Sequence, residues 1–376
     1  MAIENFTFNP ELTDAFVRFG YELYREDPHW LPPLKEELYG QLSPEFPFYQ
    51  RAGNFHRHFL ARTGGKVVGR VSAMVNSDLK DKDGIPVGTI GFFECVDDHV
   101  VSRELLDAAT GWLSGQHGIA RVWGPMNFSI WHGYRLMTRG FGQKSFYGEP
   151  YNKPYYQTLL ERYGFVPKQH WHSVEVTGHE ALEKMIAAGA ARYQRLIDRG
   201  YRFEPLNRRM LGSELRKLYA ALTRSFRAFL GFTPISLEEF EQLFTMGRYA
   251  FHPELFTFVY DEHHRLAGFA GAFLDLFEVI RAGNGTDDLI SRLRLLADSR
   301  LSSRILFYLC GMTPDETGKG ADFGRALFHY IIRQIMKEGY ETVLVALMAR
   351  GGPMARMAGV NISVAQRQYT LYELNL

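Results

Sequence analysis

One segment constrains this chain more than any other: Gly311-Met312-Thr313-Pro314-Asp315-Glu316-Thr317-Gly318-Lys319-Gly320-Ala321-Asp322-Phe323-Gly324. A short apolar run, Ile305 to Leu309, leads into it and reads as a strand. After it, Phe323, Leu327, Tyr330-Ile331 and Gln334-Ile335 recur at the spacing of an amphipathic helix. A strand that opens directly into a helix leaves backbone N–H groups and the positive end of the helix dipole at the turn. Glycines let an anion approach that backbone without a Cβ clash. Gly318, Gly320 and Gly324, with Lys319 between the first two, therefore read as a pyrophosphate cradle. A plain strand-to-helix connection is the alternative. Asp315 and Glu316 favour it, because they put negative charge where phosphate oxygens would sit, and Lys319 and Arg325 only partly offset them.

Two common nucleotide loops are excluded by spacing. A P-loop needs G-x-x-x-x-G-K-[ST], and here Lys319 is followed by Gly320. A dinucleotide fingerprint needs its third glycine one residue earlier than Gly324, and a parallel unit where the upstream sequence reads as hairpins. At 376 residues the chain is long for one core and favours two domains. The net charge of +1 gives no global attraction to nucleic acid. Cys95 and Cys310, the only cysteines, each sit in an apolar run and form neither a disulfide framework nor a zinc cage, so a reducing cytoplasm is expected and no metal site. MAIENFTFNPELTD has neither a basic nor an apolar leader region, and no stretch reaches the length of a membrane span.

Along the chain, a helix from Asp14 to Leu23 precedes a hairpin of His58–Thr63 and Val67–Asn76, turned at Gly64-Gly65. A strand at 87–96, a helix at 101–116, a strand at 120–124, a long aromatic loop, a helix at 154–163 and a strand at 171–177 follow. After a linking helix at 180–199 the order repeats: helices at 213–229 and 237–244, strands at 256–260 and 266–274, the strand at 305, the glycine turn, its helix, and strands at 342–347 and 368–374. We read an internal duplication of an α+β unit: residues 1–178, a connection over 179–212, and residues 213–376.

The turn, its helix and the strand order over about 213–376 resemble the GCN5-related N-acetyltransferase (GNAT) superfamily, whose loop pattern is Q/R-x-x-G-x-G/A. Gly318 and Gly320 hold the two glycine positions, and Asp315 departs from the first. The whole chain resembles the bacterial tandem-GNAT type. That resemblance implies two GNAT-like modules, each a mostly antiparallel sheet flanked by helices. It implies an acyl-CoA-dependent N-acyltransferase, with acetyl-CoA or a longer acyl-CoA as co-substrate. Only the second module would hold the donor, since Asp97 and Asp98 occupy the turn in the first half. A bulged strand before the loop would offer backbone N–H groups of Leu309 to Thr313 to the acyl group. The implied donor site is thus Leu309, Gly311, Met312, Thr313, Gly318, Lys319, Gly320, Ala321 and Gly324. The family's frequent acid tyrosine is absent, with Leu160 and Ala355 in its place.

Three side chains are candidates for catalysis. Glu94, in an aromatic strand, is either a general base or an ion-pair partner, because an unpaired buried charge is costly. His132 and Tyr134 belong to the aromatic segment 124–156, which reads either as a wall of the acyl or acceptor pocket or as packing between the halves. Cys310 reads as packing, and the pairs His56/His58 and His170/His172 lack the partners of a metal site. From Arg192 to Arg227 ten Lys/Arg stand against three Asp/Glu, which suits CoA phosphates, an anionic bilayer or simply water. The abundance of aromatics, with 29 Phe and 20 Tyr, and the Leu289-Leu293-Leu296 stripe suit a long acyl chain or a lipid amine acceptor. A non-catalytic acyl-CoA sensor or scaffold is the competing class, and a carrier-protein or aminoacyl-tRNA donor a third.

Overall fold

The computed structural model describes residues 1–116, 118–286, 302–313, 320–358 and 365–376. In chain order these form β1 (Ala2–Phe6), α1 (Pro10–Leu23), α2 (Lys35–Gln41), α3 (Pro47–Gln50), β2 (Phe55–Thr63), β3 (Lys66–Lys80), β4 (Pro86–Cys95), α4 (His99–Ser114), β5 (Arg121–Gly124), β6 (Leu136–Arg139), α5 (Tyr156–Tyr163) and β7 (Val166–Thr177). Then come α6 (His179–Ile186), α7 (Ala190–Asp198), β8 (Arg202–Pro205), α8 (Leu211–Ser225), α9 (Leu237–Ala250), β9 (Phe251–Tyr260), β10 (Leu266–Leu274), α10 (Phe277–Ala282), β11 (Arg304–Met312), α11 (Gly320–Lys337), β12 (Thr342–Ala349), α12 (Pro353–Ala358) and β13 (Arg367–Asn375).

The two-module expectation is corrected by the sheet. Among the described residues all the strands belong to one continuous 13-stranded mixed sheet in the order β1-β2-β3-β4-β5-β13-β7-β12-β11-β10-β9-β8, with β6 paired to β13. Neither half owns a separate sheet. The order reads the same from both edges, except that the closing strands have changed places: β13 pairs with β5, and β7 pairs with β12. The centre of the sheet is built from both ends of the chain. The segment read as a connection contributes α6, α7 and the edge strand β8.

Local chemistry explains the elements. Asn9 caps α1 by accepting from the Leu12 N–H, with Pro10 in the first helical turn. Gly64 and Gly65 both have positive φ, 56° and 80°, which is the backbone a tight β2–β3 hairpin turn requires. Asp98 caps α4 by accepting from Val100 and Val101. Its own carboxylate thus occupies the helix N-terminus that would correspond to the glycine turn of the second half. On α11, Phe323, Leu327, Ile331 and Ile335 are buried in the core over β9–β12, as their spacing predicts. Gly324 lies against α12. A Cβ there would come within 2.5 Å of the Met357 sulfur, so close helix packing also calls for glycine. Gly318 and Lys319 lie outside the described residues, and Gly320 and Ala321 begin α11.

Buried ion pairs fasten the centre. Arg367 on β13 meets Glu149 at 3.2 Å. Arg304 on β11 meets Glu175 on β7 at 3.0 Å and Asp275 at 2.5 Å. Among the described residues no helix is long and apolar enough to cross a membrane, and no three His, Cys, Asp or Glu gather where they could hold a metal ion.

Candidate active site

The parallel pair at the heart of the second half comes apart midway. β11 and β12 stay in register from Arg304↔Thr342 to Phe307↔Val345 and then diverge. At the same level the β10–β11 register skips from Ala272↔Phe307 to Gly271↔Leu309, so Tyr308 is an extra residue, a β-bulge. The Thr313 N–H bonds to the Ala267 carbonyl at 2.9 Å. Since N–H directions alternate along an antiparallel ladder, Leu309, Gly311 and Thr313 face β10 and the N–H groups of Cys310 and Met312 face the gap left by β12. The Ser225 hydroxyl on α8 donates to the Met312 carbonyl at 2.8 Å and anchors this end of the strand. Gly311 is needed for packing, because a Cβ would stand 2.5 Å from the Phe269 ring.

The first half shows the same splay, but plugged. β4 and β5 pair only at Gly88↔Val122 and Thr89↔Trp123. β4 bulges where Phe92 takes a φ of 49°. There the Phe92 N–H donates to the Asn127 side chain at 2.8 Å, and the Met126 N–H to the Ile90 carbonyl at 2.8 Å. The loop after β5 therefore takes up one donor of β4, the Phe92 N–H, and one acceptor, the Ile90 carbonyl, at the level where the second half is open.

The open gap gives onto a cavity of ≈ 1240 Å³, larger than the roughly 300–1,000 Å³ of usual small-ligand pockets. Its wall includes Leu309, Cys310, Gly311 and Met312 from β11, the aromatic loop after β5, and Glu94 from β4. The aromatic segment lines the cavity, and it also packs the halves together through Trp131, whose ring N–H donates to the Thr233 carbonyl at 2.8 Å and whose ring stacks near Phe226.

Glu94, His132 and Tyr134 all lie on this wall. The Glu94 carboxylate accepts from the hydroxyls of Tyr24 at 2.8 Å and Tyr156 at 2.6 Å, with the Arg70 guanidinium 3.8 Å away. Its side chain is 16% exposed. Burial raises its pKa above the usual carboxylate value, against the pull of Arg70 and the two tyrosines. It is therefore both ion-paired and at the cavity. His132 packs on Phe46 and Phe128, with its Nδ1 3.2 Å from the Ser129 hydroxyl, and burial pushes its pKa down to about 4. At neutral pH it is an uncharged imidazole. Burial raises the Tyr134 pKa, so its hydroxyl stays protonated, and it accepts a hydrogen bond from Arg135. The Cys310 thiol is pushed up to about 12 by burial, which removes it as a nucleophile.

Sequence reasoning missed Glu149. It sits on the cavity wall at the far side of Arg367, takes a hydrogen bond from the Tyr369 hydroxyl and one from the Phe146 N–H at 3.1 Å, and burial raises its pKa to about 7. Nothing local marks it, because its side-chain partners Arg367 and Tyr369 come from β13.

No family model matches the chain. Two curated proteins align with 62% of it: protein YghO of Escherichia coli strain K12, at 27% identity over 241 residues, and a bacterial ceramide synthase of Caulobacter vibrioides, at 26% over 236 residues. The aligned parts span 57% and 60% of those relatives' own lengths. Among solved structures, a tandem GNAT protein from the clavulanic acid biosynthesis pathway superposes on 100% of this chain and 98% of its own, with a TM-score of 0.51 and 12% identity. The chain has the fold of that tandem GNAT protein.

Proposed function

We propose that the chain is an acyl-CoA-dependent N-acyltransferase that transfers a long acyl group to a lipid-like amine. The observation that carries this reading is the splay of β11 from β12, which aims the N–H groups of Cys310 and Met312 into a large aromatic-lined cavity. Such donors polarise a thioester carbonyl and hold the oxyanion as it forms. Glu94, with its raised pKa and partial exposure, takes a proton from the ammonium of the acceptor. The free amine attacks the carbonyl carbon, the C–N bond forms, and the C–S bond breaks. The amine's second proton leaves with the CoA thiolate as the thiol. The size of the cavity supports a long chain, and so does the likeness to a protein named for making ceramide, an amide of a long-chain amino alcohol.

Leu160 and Ala355, where the family often has its acid tyrosine, favour a second reading: a protein that binds acyl-CoA without turning it over. Thermal shifts with free CoA, acetyl-CoA and palmitoyl-CoA below its micelle concentration test the shared premise, because a ligand that binds the native state alone raises its stability. A shift with all three, largest for palmitoyl-CoA, is expected; no shift with any removes CoA from both readings. Glu94→Gln then separates them. Retained palmitoyl-CoA affinity with slower CoA release supports catalysis, and no release from either protein supports the sensor.

A further inference from the structure

The cavity wall carries a cation that the chain itself does not neutralise. Of the other cations on that wall, Arg70 pairs with Glu94, and Lys80, Lys82, Arg227 and Arg350 are exposed to water. Arg135 has no carboxylate within ion-pair distance among the described residues, and its buried Nε lacks any hydrogen-bond partner. A single bond to the Tyr134 hydroxyl satisfies one of its five N–H groups. Arg135 is half-buried, and an N–H cut off from water without a partner is unfavourable unless something completes it.

Its surroundings nevertheless hold it in place. The guanidinium carbon lies 3.8 Å from the centre of the Tyr134 ring and 4.5 Å from that of Trp171. The Arg135 backbone has a φ of 85°, the left-handed region that a non-glycine residue keeps only where its neighbours impose it. Its N–H is bonded to the Pro125 carbonyl at 2.9 Å. Burial lowers its pKa, and the tyrosines within electrostatic reach include Tyr308, the bulged residue of β11. The cation therefore stands beside the gap where the thioester carbonyl would sit, preorganised and short of an anion.

We propose that Arg135 binds an anionic group, a carboxylate or phosphate monoester, borne by the amine acceptor next to its amino group. The planar fork of a guanidinium matches either anion through two parallel hydrogen bonds. The acceptor class is then an amphiphile with an amine, a neighbouring anion and a long apolar chain. This rests on reading the cavity as the site of N-acyl transfer.

The test is calorimetric binding without donor, below micelle concentrations, of 2-aminohexadecanoate, 2-aminohexadecan-1-ol and the phosphate monoester of that alcohol. Wild-type protein is expected to bind one of the two anionic amphiphiles at least about tenfold more tightly than the alcohol, as a charge-assisted bidentate pair should. Which of the two is favoured tells carboxylate from phosphate. Arg135→Gln should erase the preference, leave the palmitoyl-CoA thermal shift unchanged, and melt no lower than wild type, since it removes an uncompensated charge. Arg135→Lys, which keeps the charge without the fork, should keep a smaller preference; it decides the matter if the glutamine variant does not fold. Equal affinity of all three ligands for wild type overturns the proposal. So does an Arg135→Gln effect confined to palmitoyl-CoA, which would place the guanidinium on the CoA phosphates. If palmitoyl-CoA never binds but the anionic preference holds and needs Arg135, the transferase reading fails and the anion site stands.

Discussion

Glu149 should make the protein less stable as pH rises, by an amount the structure sets. Its side chain is fully buried, and its pKa is raised from 4.5 to about 7, chiefly because burial penalises the carboxylate. Between those two values the folded chain binds a proton at Glu149 that the unfolded chain has released. Stability from this group is therefore complete below the unfolded pKa, falls as pH rises, and is lost once pH passes the folded one. A gap of 2.5 pKa units at 1.36 kcal/mol per unit is about 3 kcal/mol. Glu149→Gln cannot titrate, so the stability of wild type relative to this variant should fall by about that much between roughly pH 4.5 and 8, while all other groups cancel. Urea unfolding at a series of pH values reads the difference directly. A difference that stays flat, or that moves in favour of wild type as pH rises, would show that attraction to Arg367 outweighs the penalty of burying the charge, and the reasoning would be refuted.

Other outcomes follow from the same geometry. Arg367→Met leaves the Glu149 carboxylate buried without its cation and should cost about 3–5 kcal/mol at pH 8, and less at pH 5 where Glu149 is protonated, as denaturant curves at the two pH values would record. Gly311→Val drives a side chain into the buried Phe269 ring and should destabilise by about 1–3 kcal/mol in the same assay, with a matching loss of palmitoyl-CoA binding because the strand at the gap must shift. Both thiols are pushed up to about 12, so a disulfide reagent at pH 8 should label neither in the native protein and both in urea. Prompt native labelling of Cys310 would mean that the strand beside the gap opens.

What could be read from sequence was what local rules encode. The Gly64-Gly65 turn, the buried stripe of α11 and the strand-to-helix passage after Ile305 need only neighbours in sequence. The exchange of closing strands was not legible. Val166–Thr177 and Arg367–Asn375 are both strands of mixed polar and apolar residues, and nothing in either says which half it will complete. β1 and β6, at five and four residues, are too short to show alternation. Glu94 was visible as a charge among aromatics, and its partners Tyr24 and Tyr156 were not, because they arrive from distant helices. Arg135 could be seen, but not its want of a carboxylate, which is a property of the packed wall.

The exchanged strands also bear on how the protein is made. A ribosome releases the first half of the chain long before the second. At that moment β5 has no neighbour on its inner side, and β7 has no β12 to lie against. The nascent half must either wait with that edge bare or pair β7 with β5 and later undo the pairing. The proper neighbour of β5, β13, emerges only after every strand from β6 to β12. Cutting the gene between the halves should therefore give two fragments that complete one another when produced together, each with a bare strand edge when produced alone.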